Sequence, residues 1–244
     1  MSTEAPGTAV ITGAGQGLGR ADAVRLAADG WQVVCLDLNG EAAAETAELV
    51  GGTAFGVDVT DRDAVFSIAD QVPECTALVN NAGIWKFHSI LDMTPEQARS
   101  VFEVNVLGII WCTQAFVPKM KAAGRGSIVN MSSGAAWTSS PGLGLYPATK
   151  SSVESLTKTM ALELGPDNIR ANAIGPGLIV SEGTAANYDG DAAARRAKGV
   201  PLGRVGDPTD IADVVAFLCG DDSRYVSGQV IYVDGAITAG TAAR

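Results

Sequence analysis

Short apolar runs alternate along the chain with longer segments in which apolar residues recur at the helical period. Runs such as Ala9–Ile11 and Ile128–Val129 lack the polar alternation of a half-exposed strand. Uninterrupted runs of this kind are typical of strands buried on both faces of a parallel sheet. The pattern predicts strands at Thr8–Thr12, Gln32–Leu36, Thr53–Val57, Ala77–Asn80, Ser127–Met131, Arg170–Ile174 and Gln229–Val233.

Helical segments lie between these strands. They are predicted at Gly17–Asp29, Glu41–Val50, Arg62–Val72, Pro95 to about Ala123 with a break near Asn105–Gly108, Thr149–Leu164 and Pro208–Leu218. The alternation indicates a single α/β domain over residues 1–244, built as a doubly wound parallel sheet of about seven strands with helices on both faces. Residues 181–199 are less regular, and we expect a lid-like insertion there, called the lid below.

The first strand runs into a glycine-rich turn, Thr12-Gly13-Ala14-Gly15-Gln16-Gly17-Leu18-Gly19. Glycine permits the positive φ angles and the close backbone approach that a bound pyrophosphate requires. The helix that follows offers free N–H groups and the positive end of its dipole. The turn therefore predicts a phosphate site for a dinucleotide, although a glycine-rich turn that binds nothing has the same composition.

A carboxylate, Asp37, follows the second predicted strand. An acid at this position accepts hydrogen bonds from the adenosine ribose diol and repels a 2′-phosphate. The next residue is Leu38 rather than a cation that would accommodate that phosphate. We therefore expect NAD as the cofactor in preference to NADP.

Tyr146 and Lys150 are one helical turn apart, which places them on one face of a helix. An ammonium group beside a phenol favours the phenolate and moves the phenol pKa toward the range that is useful for proton transfer. Upstream, the hydroxyl of Ser133 could hold a substrate oxygen against that phenol. The Tyr-x-x-x-Lys spacing alone is weak, because many surface helices carry it by chance.

The composition narrows the classes of function. The net charge is −10 without a basic stripe, so we expect no nucleic-acid partner. Four separated cysteines and a single histidine leave little material for a zinc site or a Ser-His-Asp triad, so no metal is expected. Met1–Pro6 does not resemble a signal peptide, and no apolar run approaches the ~18 residues of a membrane span. We expect no membrane partner and a cytoplasmic location.

Several motifs, taken in order, carry a resemblance to a known family. They are Thr12–Gly19, Asp58-Val59, Asn80-Asn81-Ala82-Gly83, Asn105, Ser133, Tyr146-x-x-x-Lys150 and Pro176-Gly177. In this order and spacing the chain resembles the short-chain dehydrogenase/reductase family over nearly all of its 244 residues. The resemblance implies a Rossmann-like fold and an oxidoreductase that transfers a hydride between NAD(H) and a small to medium secondary alcohol or ketone.

The resemblance also implies a role for each candidate catalytic residue. Tyr146 would be the general acid/base, and Lys150 would bind the nicotinamide ribose and lower the Tyr146 pKa. Ser133 would orient the substrate carbonyl, and Asn105 would hold a water in a proton relay. The implied cofactor contacts are Thr12, Gly13, Gly15, Gln16, Gly17, Leu18, Gly19, Asp37, Leu38, Asp58, Val59, Asn81, Ala82, Gly83, Tyr146, Lys150, Pro176, Gly177, Ile179 and Ser181.

The substrate itself is less well defined by the sequence. Candidate pocket residues are Trp85, Trp137, Leu143, Glu182 and Tyr188. One alternative is an NADPH-dependent 3-ketoacyl reductase acting on an acyl carrier; a second is a dinucleotide-binding sensor without turnover. The long helices over Pro95–Ala123 and Thr149–Leu164 resemble the family's dimer-forming helices, so we expect a homotetramer, or failing that a dimer.

Overall fold

A seven-stranded parallel sheet forms the centre of the protein. The computed structural model describes residues 6–189 and 191–240, and within them the strand order is β3-β2-β1-β4-β5-β6-β7. The strands are β1 Thr8–Thr12, β2 Gln32–Asp37, β3 Thr53–Gly56, β4 Ala77–Asn80, β5 Gly126–Met131, β6 Ile169–Pro176 and β7 Val230–Val233. The predicted doubly wound α/β architecture is confirmed.

The helices cover both faces of this sheet. They are α1 Gly17–Ala28, α2 Gly40–Val50, α3 Arg62–Gln71, α4 Pro95–Phe102, α5 Gly108–Ala123, α6 Tyr146–Leu164, α7 Ala192–Ala197 and α8 Pro208–Cys219. Helix α6 begins at Tyr146, earlier than predicted, because Pro147 lies in the first turn, where a helix does not require an N–H group. The lid is more helical than predicted, since it contains a 3₁₀ turn at Ala185–Tyr188 and α7.

The predicted break in the long helix is a π-helical turn, Glu103–Leu107, which joins α4 to α5. The combined segment Pro95–Ala123 has the length and apolar composition of a membrane span, but 56% of its most apolar window is buried inside the protein. Burial of this extent is typical of a core helix, and Phe116 and Met120 of α5 are fully buried against the sheet.

Alternate strand residues pack into two separate hydrophobic clusters, one on each face of the sheet. Val10 and Leu78 point to the face covered by α3, α5 and α6. Their neighbours Ile11 and Val79 point to the face covered by α1 and α8. Each fully buried aliphatic side chain of this size contributes about 1.5–3 kcal/mol, so both faces stabilise the parallel sheet.

One buried carboxyl group interrupts the second cluster. Asp22 of α1 is fully buried on the side of the sheet where α1 packs against α8. Neither of its carboxyl oxygens has a hydrogen-bond partner in the part of the chain that the structure describes. Burial raises the pKa of Asp22 well above its ordinary value, which favours the neutral acid.

The strand order reverses direction between β1 and β4, which are neighbours in the centre of the sheet. In open α/β sheets this reversal leaves a crevice at the carboxyl ends of the strands, where ligands bind. The glycine-rich turn after β1 and the Asn81–Gly83 segment after β4 both lie at this edge. The fold therefore brings together residues that are far apart in the sequence.

Candidate active site

The glycine-rich turn is shaped by two different requirements. Gly13 has a φ of 64°, a left-handed conformation that a side chain rarely adopts. At Gly19 the requirement is space, because a Cβ atom there would collide with the Gly13 carbonyl oxygen and the Asn81 amide. The turn is therefore closed tightly on itself, and its backbone is exposed where α1 begins.

The segment that follows β4 holds this turn in place. Asn81 donates from Nδ2 to the carbonyl oxygens of Thr12 and Gly13, each at 3.0 Å. Thr12 Oγ1 in turn accepts a hydrogen bond from the Ala82 N–H at 3.0 Å. The three predicted cofactor residues Thr12, Asn81 and Ala82 thus organise the turn through their own hydrogen bonds.

Asp37 lies across the crevice at the end of β2. Its Oδ2 accepts from the Gly15 N–H at 2.8 Å, and its Oδ1 accepts from the Asn39 N–H at 2.9 Å. Leu38 beside it is 75% exposed, so an apolar side chain stands where a 2′-phosphate would require a cation.

Asp58 and Val59 follow β3 at the same edge. Asp58 Oδ1 accepts from both the N–H and the hydroxyl of Thr60, at 2.9 and 2.8 Å. Val59 is buried against Gly108, where a Cβ atom would approach its Cγ2 to 2.8 Å. The loop that carries these two implied cofactor contacts is therefore fixed from both sides.

The lid reaches back to the glycine-rich turn through Glu182. Its Oε2 accepts from the Gly17 N–H at 3.3 Å, and its Oε1 lies 3.5 Å from Nη1 of Arg20. A carboxylate therefore occupies the N-terminal end of α1, where backbone N–H groups favour an anion. The N-terminal end of α1 therefore fits a phosphate group of a dinucleotide. Glu182 was predicted to line the substrate pocket, and the structure places it at the phosphate turn instead.

Backbone contacts of the segment after β6 hold the other side of the crevice. Gly177 N–H donates to the Val233 carbonyl at 3.0 Å. Ile179 and Gly206 form a parallel β-bridge, in which the backbone groups of the residues on either side of Ile179 make the hydrogen bonds to Gly206. The N–H of Ile179 itself is therefore directed away from Gly206. Ser181 N–H donates to Thr184 Oγ1 at 2.9 Å, and the same hydroxyl donates to the Ile179 carbonyl at 2.8 Å. Thr184 is thus a positioning residue that the sequence pattern did not indicate.

Tyr146 and Lys150 lie on one face of the first turn of α6, as predicted. The Lys150 ammonium donates to the Met131 carbonyl at 2.8 Å and lies 5.7 Å from the centroid of the Tyr146 ring. Burial lowers the pKa of Lys150 to about 8. Burial also raises the pKa of Tyr146, and the nearby Ser133 hydroxyl offsets this rise in part. The pKa of Tyr146 is thus raised, whereas the spacing to Lys150 predicted that it would be lowered. The reason is that burial disfavours the charged form of both groups.

Asn105 joins this group from the π-helical turn. Its Oδ1 accepts from the Ile84 N–H and its Nδ2 donates to the Ile84 carbonyl, both at 2.8 Å. Nδ2 also lies 3.1 Å from Thr149 Oγ1, which donates to the Tyr146 carbonyl at 2.7 Å. The widened helical turn thus ties the segment after β4 to the start of α6.

Gly83 lies where Asn105 and Lys150 converge. A Cβ atom on Gly83 would lie 3.3 Å from Asn105 Oδ1 and 3.4 Å from Lys150 Nζ. Glycine therefore keeps open the space between the amide and the ammonium group.

The two serines after β5 have different partners. Ser132 donates to Glu154 Oε1 at 2.8 Å and to the Lys150 carbonyl at 3.2 Å. Ser133 Oγ accepts from the Ala135 N–H at 3.1 Å and faces Tyr146. The predicted choice of Ser133 over Ser132 agrees with this geometry. Tyr232 also donates to Glu154, at 2.7 Å, a contact that the sequence did not reveal.

The remaining pocket candidates have different surroundings. Trp85 belongs to a row of aromatic rings that ends at Tyr146. Trp137 is 67% exposed and packs against Tyr232 at 6.2 Å between ring centroids. Leu143 accepts a hydrogen bond from the Tyr146 N–H at 3.2 Å, whereas the Tyr188 ring lies against Arg196 within the lid. Within the described residues, no three His, Cys, Asp or Glu side chains converge as a metal site would require.

Known proteins resemble this chain over nearly its whole length. Residues 13–238 match the family model described as Enoyl-(Acyl carrier protein) reductase. The chain is 37% identical over 247 residues to a (3R)-3-hydroxyacyl-CoA dehydrogenase of Rattus norvegicus, covering 94% of this chain and 95% of that protein. It is 35% identical over 238 residues to a 3-oxoacyl-acyl-carrier-protein reductase, FabG, of Staphylococcus epidermidis, covering 93% and 97% respectively.

Solved structures share the same fold. NAD⁺-bound xylitol dehydrogenase has a TM-score of 0.87 at 32% identity, covering 96% of this chain and 100% of that one. A structure described as an NAD(P)-dependent gluconate 5-dehydrogenase from Beutenbergia cavernae, with bound NADP, has a TM-score of 0.87 at 33% identity, covering 96% and 97%. The chain belongs to the short-chain dehydrogenase/reductase family. It is an oxidoreductase of alcohol and keto substrates, and its family binds a nicotinamide dinucleotide.

Proposed function

We propose that the protein interconverts a secondary alcohol and its ketone with NAD(H), using Tyr146 as the proton-transfer group. The observation that carries this proposal is the convergence of Tyr146, Lys150 and Ser133 at the crevice beside the glycine-rich turn. A buried ammonium one turn away from a half-buried phenol is costly to maintain for stability alone, which supports a chemical role.

Each residue of this group has a distinct task in the proposed reaction. The nicotinamide, when bound, supplies the hydride acceptor or donor. Ser133 holds the substrate oxygen by a hydrogen bond, and Tyr146 as the phenolate accepts the hydroxyl proton during oxidation. Lys150 favours the phenolate through its positive charge, and Asn105 holds the space through which the proton leaves. In reduction the neutral Tyr146 phenol returns the proton to the developing alkoxide.

Asp37 and Leu38 support NAD as the cofactor. The carboxylate is held at the ribose side of the crevice by the Gly15 and Asn39 N–H groups, and Leu38 supplies no charge for a 2′-phosphate. Solved structures of similar proteins contain NAD⁺ or NADP, so our proposal of NAD rests on these two side chains and not on the family. Initial rates with NAD and NADP at equal concentrations test it; a preference for NADP would contradict it.

The relatives that act on 3-hydroxyacyl or 3-oxoacyl groups favour a second candidate, a 3-ketoacyl reductase. The net charge of −10 disfavours docking of an acidic acyl carrier. Reduced-nicotinamide absorbance, followed with simple ketones, acetoacetyl-CoA and an acyl-carrier thioester, separates the two candidates. A strong preference for the thioesters would replace our proposal, and no turnover with any of them would favour the dinucleotide sensor.

We also propose that the protein forms a homotetramer or a dimer through α4–α5 and α6. Large apolar side chains stay exposed along these helices, with Leu162 of α6 at 80% and Phe102 and Leu107 at the α4 end at 36% and 38%. Sedimentation velocity tests this proposal. A single monomeric species at micromolar concentration would contradict it.

A further inference from the structure

Two aromatic side chains that the proposed proton transfer does not use continue outward from Tyr146. The Phe87 ring meets the Tyr146 ring edge-on, with centroids 5.9 Å apart and planes 82° apart. Trp85 stacks on Phe87 with centroids 6.4 Å apart and planes at 27°. We call Trp85, Phe87 and Tyr146 the aromatic row.

The row is less exposed at its Tyr146 end than along the rest. Trp85 is 40% exposed and Phe87 is 47% exposed, while Tyr146 is half-buried beside the buried Lys150. Large apolar side chains that lie exposed next to one another commonly mark a binding surface, whereas single exposed ones do not. The open ring faces therefore begin where the reacting carbon of a substrate would lie and lead away from it.

The lid meets the outer end of the row. A Cβ atom on Gly183 would lie 3.5 Å from Cη2 of Trp85, which is ordinary van der Waals contact. Glu182, the preceding residue, is anchored at the glycine-rich turn. The lid therefore extends from the glycine-rich turn to Trp85. The aromatic row has the Tyr146 phenol at one end and the lid at the other.

We infer that the substrate carries a flat aryl group on its carbinol carbon, and that this group binds against Phe87 and Trp85. The inference rests on the proposed alcohol–ketone chemistry. An aryl ring can adopt the edge-on or offset geometry that Phe87 already makes with both neighbours, while a saturated ring of similar size gains only from burial. Ring-to-ring geometry of this kind corresponds to about a twofold to tenfold advantage beyond burial.

The test compares two ketones that differ in the ring alone, phenyl methyl ketone and cyclohexyl methyl ketone. The measured quantity is the ratio of their kcat/KM values in the wild-type protein and in variants, so intrinsic reactivity cancels between proteins. We expect Trp85→Leu to reduce the aryl preference about threefold or more through KM, and Trp85→Phe to restore most of it.

Phe217→Leu is the matched control, because Phe217 is also an exposed aromatic residue but lies on α8, which covers the face of the sheet opposite to α6. It is expected to leave the ratio unchanged. Phe87→Leu provides a second variant, and thermal melting verifies that each variant is folded.

Turnover of both ketones with a ratio unaffected by Trp85→Leu and Phe87→Leu would overturn the inference while leaving the proposed function in place. Failure of the wild-type protein to turn over either ketone, or any other member of a secondary-alcohol panel, would overturn the proposed function and the inference with it.

Discussion

The two halves of the crevice differ in how firmly their side chains are held. In the cofactor half, Asn81 bonds two carbonyl oxygens of the glycine-rich turn and Asp37 bonds two N–H groups. In the substrate half, Trp85 and Phe87 expose their rings and the lid is built from short helical turns. The difference indicates that one half is preorganised for a constant ligand, while the other is left adaptable for the ligand that distinguishes this protein.

The sharpest test of where the two halves meet is Tyr146→Phe. Because the phenol hydroxyl is the proposed proton carrier, we expect turnover to fall by about 10²–10⁴-fold. Dinucleotide binding, measured by fluorescence titration, should stay close to the wild-type value because the substitution removes only the phenol hydroxyl and leaves the glycine-rich turn, Asp37 and Lys150 in place. Turnover at the wild-type rate would remove Tyr146 from the mechanism.

Gly19→Ala tests the rigidity of the cofactor half. A Cβ atom there collides with the Gly13 carbonyl oxygen, so the turn must open and lose the geometry that faces the phosphates. We expect the dissociation constant for NADH to rise about tenfold or more, a loss of at least ~1.4 kcal/mol.

Gly165→Ala is the control for this variant. Gly165 has a helical φ of −54°, and a Cβ atom there would meet nothing within 4 Å. Its NADH affinity should match the wild type, and equal affinities in all three proteins would show that the turn is not rigid.

Asp22 is a buried carboxyl group in α1, and the variant Asp22→Asn tests its effect on stability. Because the folded-state pKa is raised, the folded protein binds more protons than the unfolded chain above the ordinary pKa of the carboxyl group. The free energy of unfolding of the wild type should therefore decrease as pH rises from acid toward neutral. In Asp22→Asn this decrease should be absent.

The variant is expected to be more stable near neutral pH by on the order of 1–3 kcal/mol, with a smaller difference in acid. Urea unfolding at several pH values measures it. Parallel stability curves for the two proteins would show that Asp22 does not titrate between the folded and unfolded states.

The smallest effect is expected for the contact between Glu182 of the lid and the Gly17 N–H of the glycine-rich turn, which joins the substrate half to the cofactor half. Glu182 places a carboxylate on the Gly17 N–H, where a cofactor phosphate would compete with it. Glu182→Gln should lower the dissociation constant for NADH about twofold to fivefold.

Glu45→Gln is the matched control, since Glu45 also pairs with Arg20, at 3.4 Å, but from α2 and outside the lid. Fluorescence titration should find its affinity unchanged. Weaker binding by Glu182→Gln would instead assign the carboxylate a supporting role in cofactor binding.

The sequence predicted the cofactor half better than the substrate half for a physical reason. The Gly13–Gly19 turn and the Tyr146–Lys150 pair each lie within one short stretch of chain, so spacing alone fixes their geometry. Phe87 joins the aromatic row only because the loop after β4 packs against the start of α6. Glu182, predicted in the substrate pocket, contacts the glycine-rich turn, since its position depends on how the lid folds back.

Contacts between segments that are far apart in the sequence also explain why the pKa directions were not predicted. Helical spacing places Lys150 beside Tyr146, but it does not report how far burial disfavours the charged form of each side chain. The Ser132–Glu154–Tyr232 contacts likewise link β5, α6 and β7, three elements distant in the chain. No local pattern of residues carries that information.

The position of Glu182 has a consequence for the order of events in a catalytic cycle. A dinucleotide phosphate that binds the Gly17 N–H must displace the Glu182 carboxylate of the lid, and the same segment touches Trp85. Arrival of the cofactor would thus free the lid at both ends at once. We expect compulsory-order kinetics in which the dinucleotide binds first and leaves last, so that a product alcohol inhibits noncompetitively against NADH.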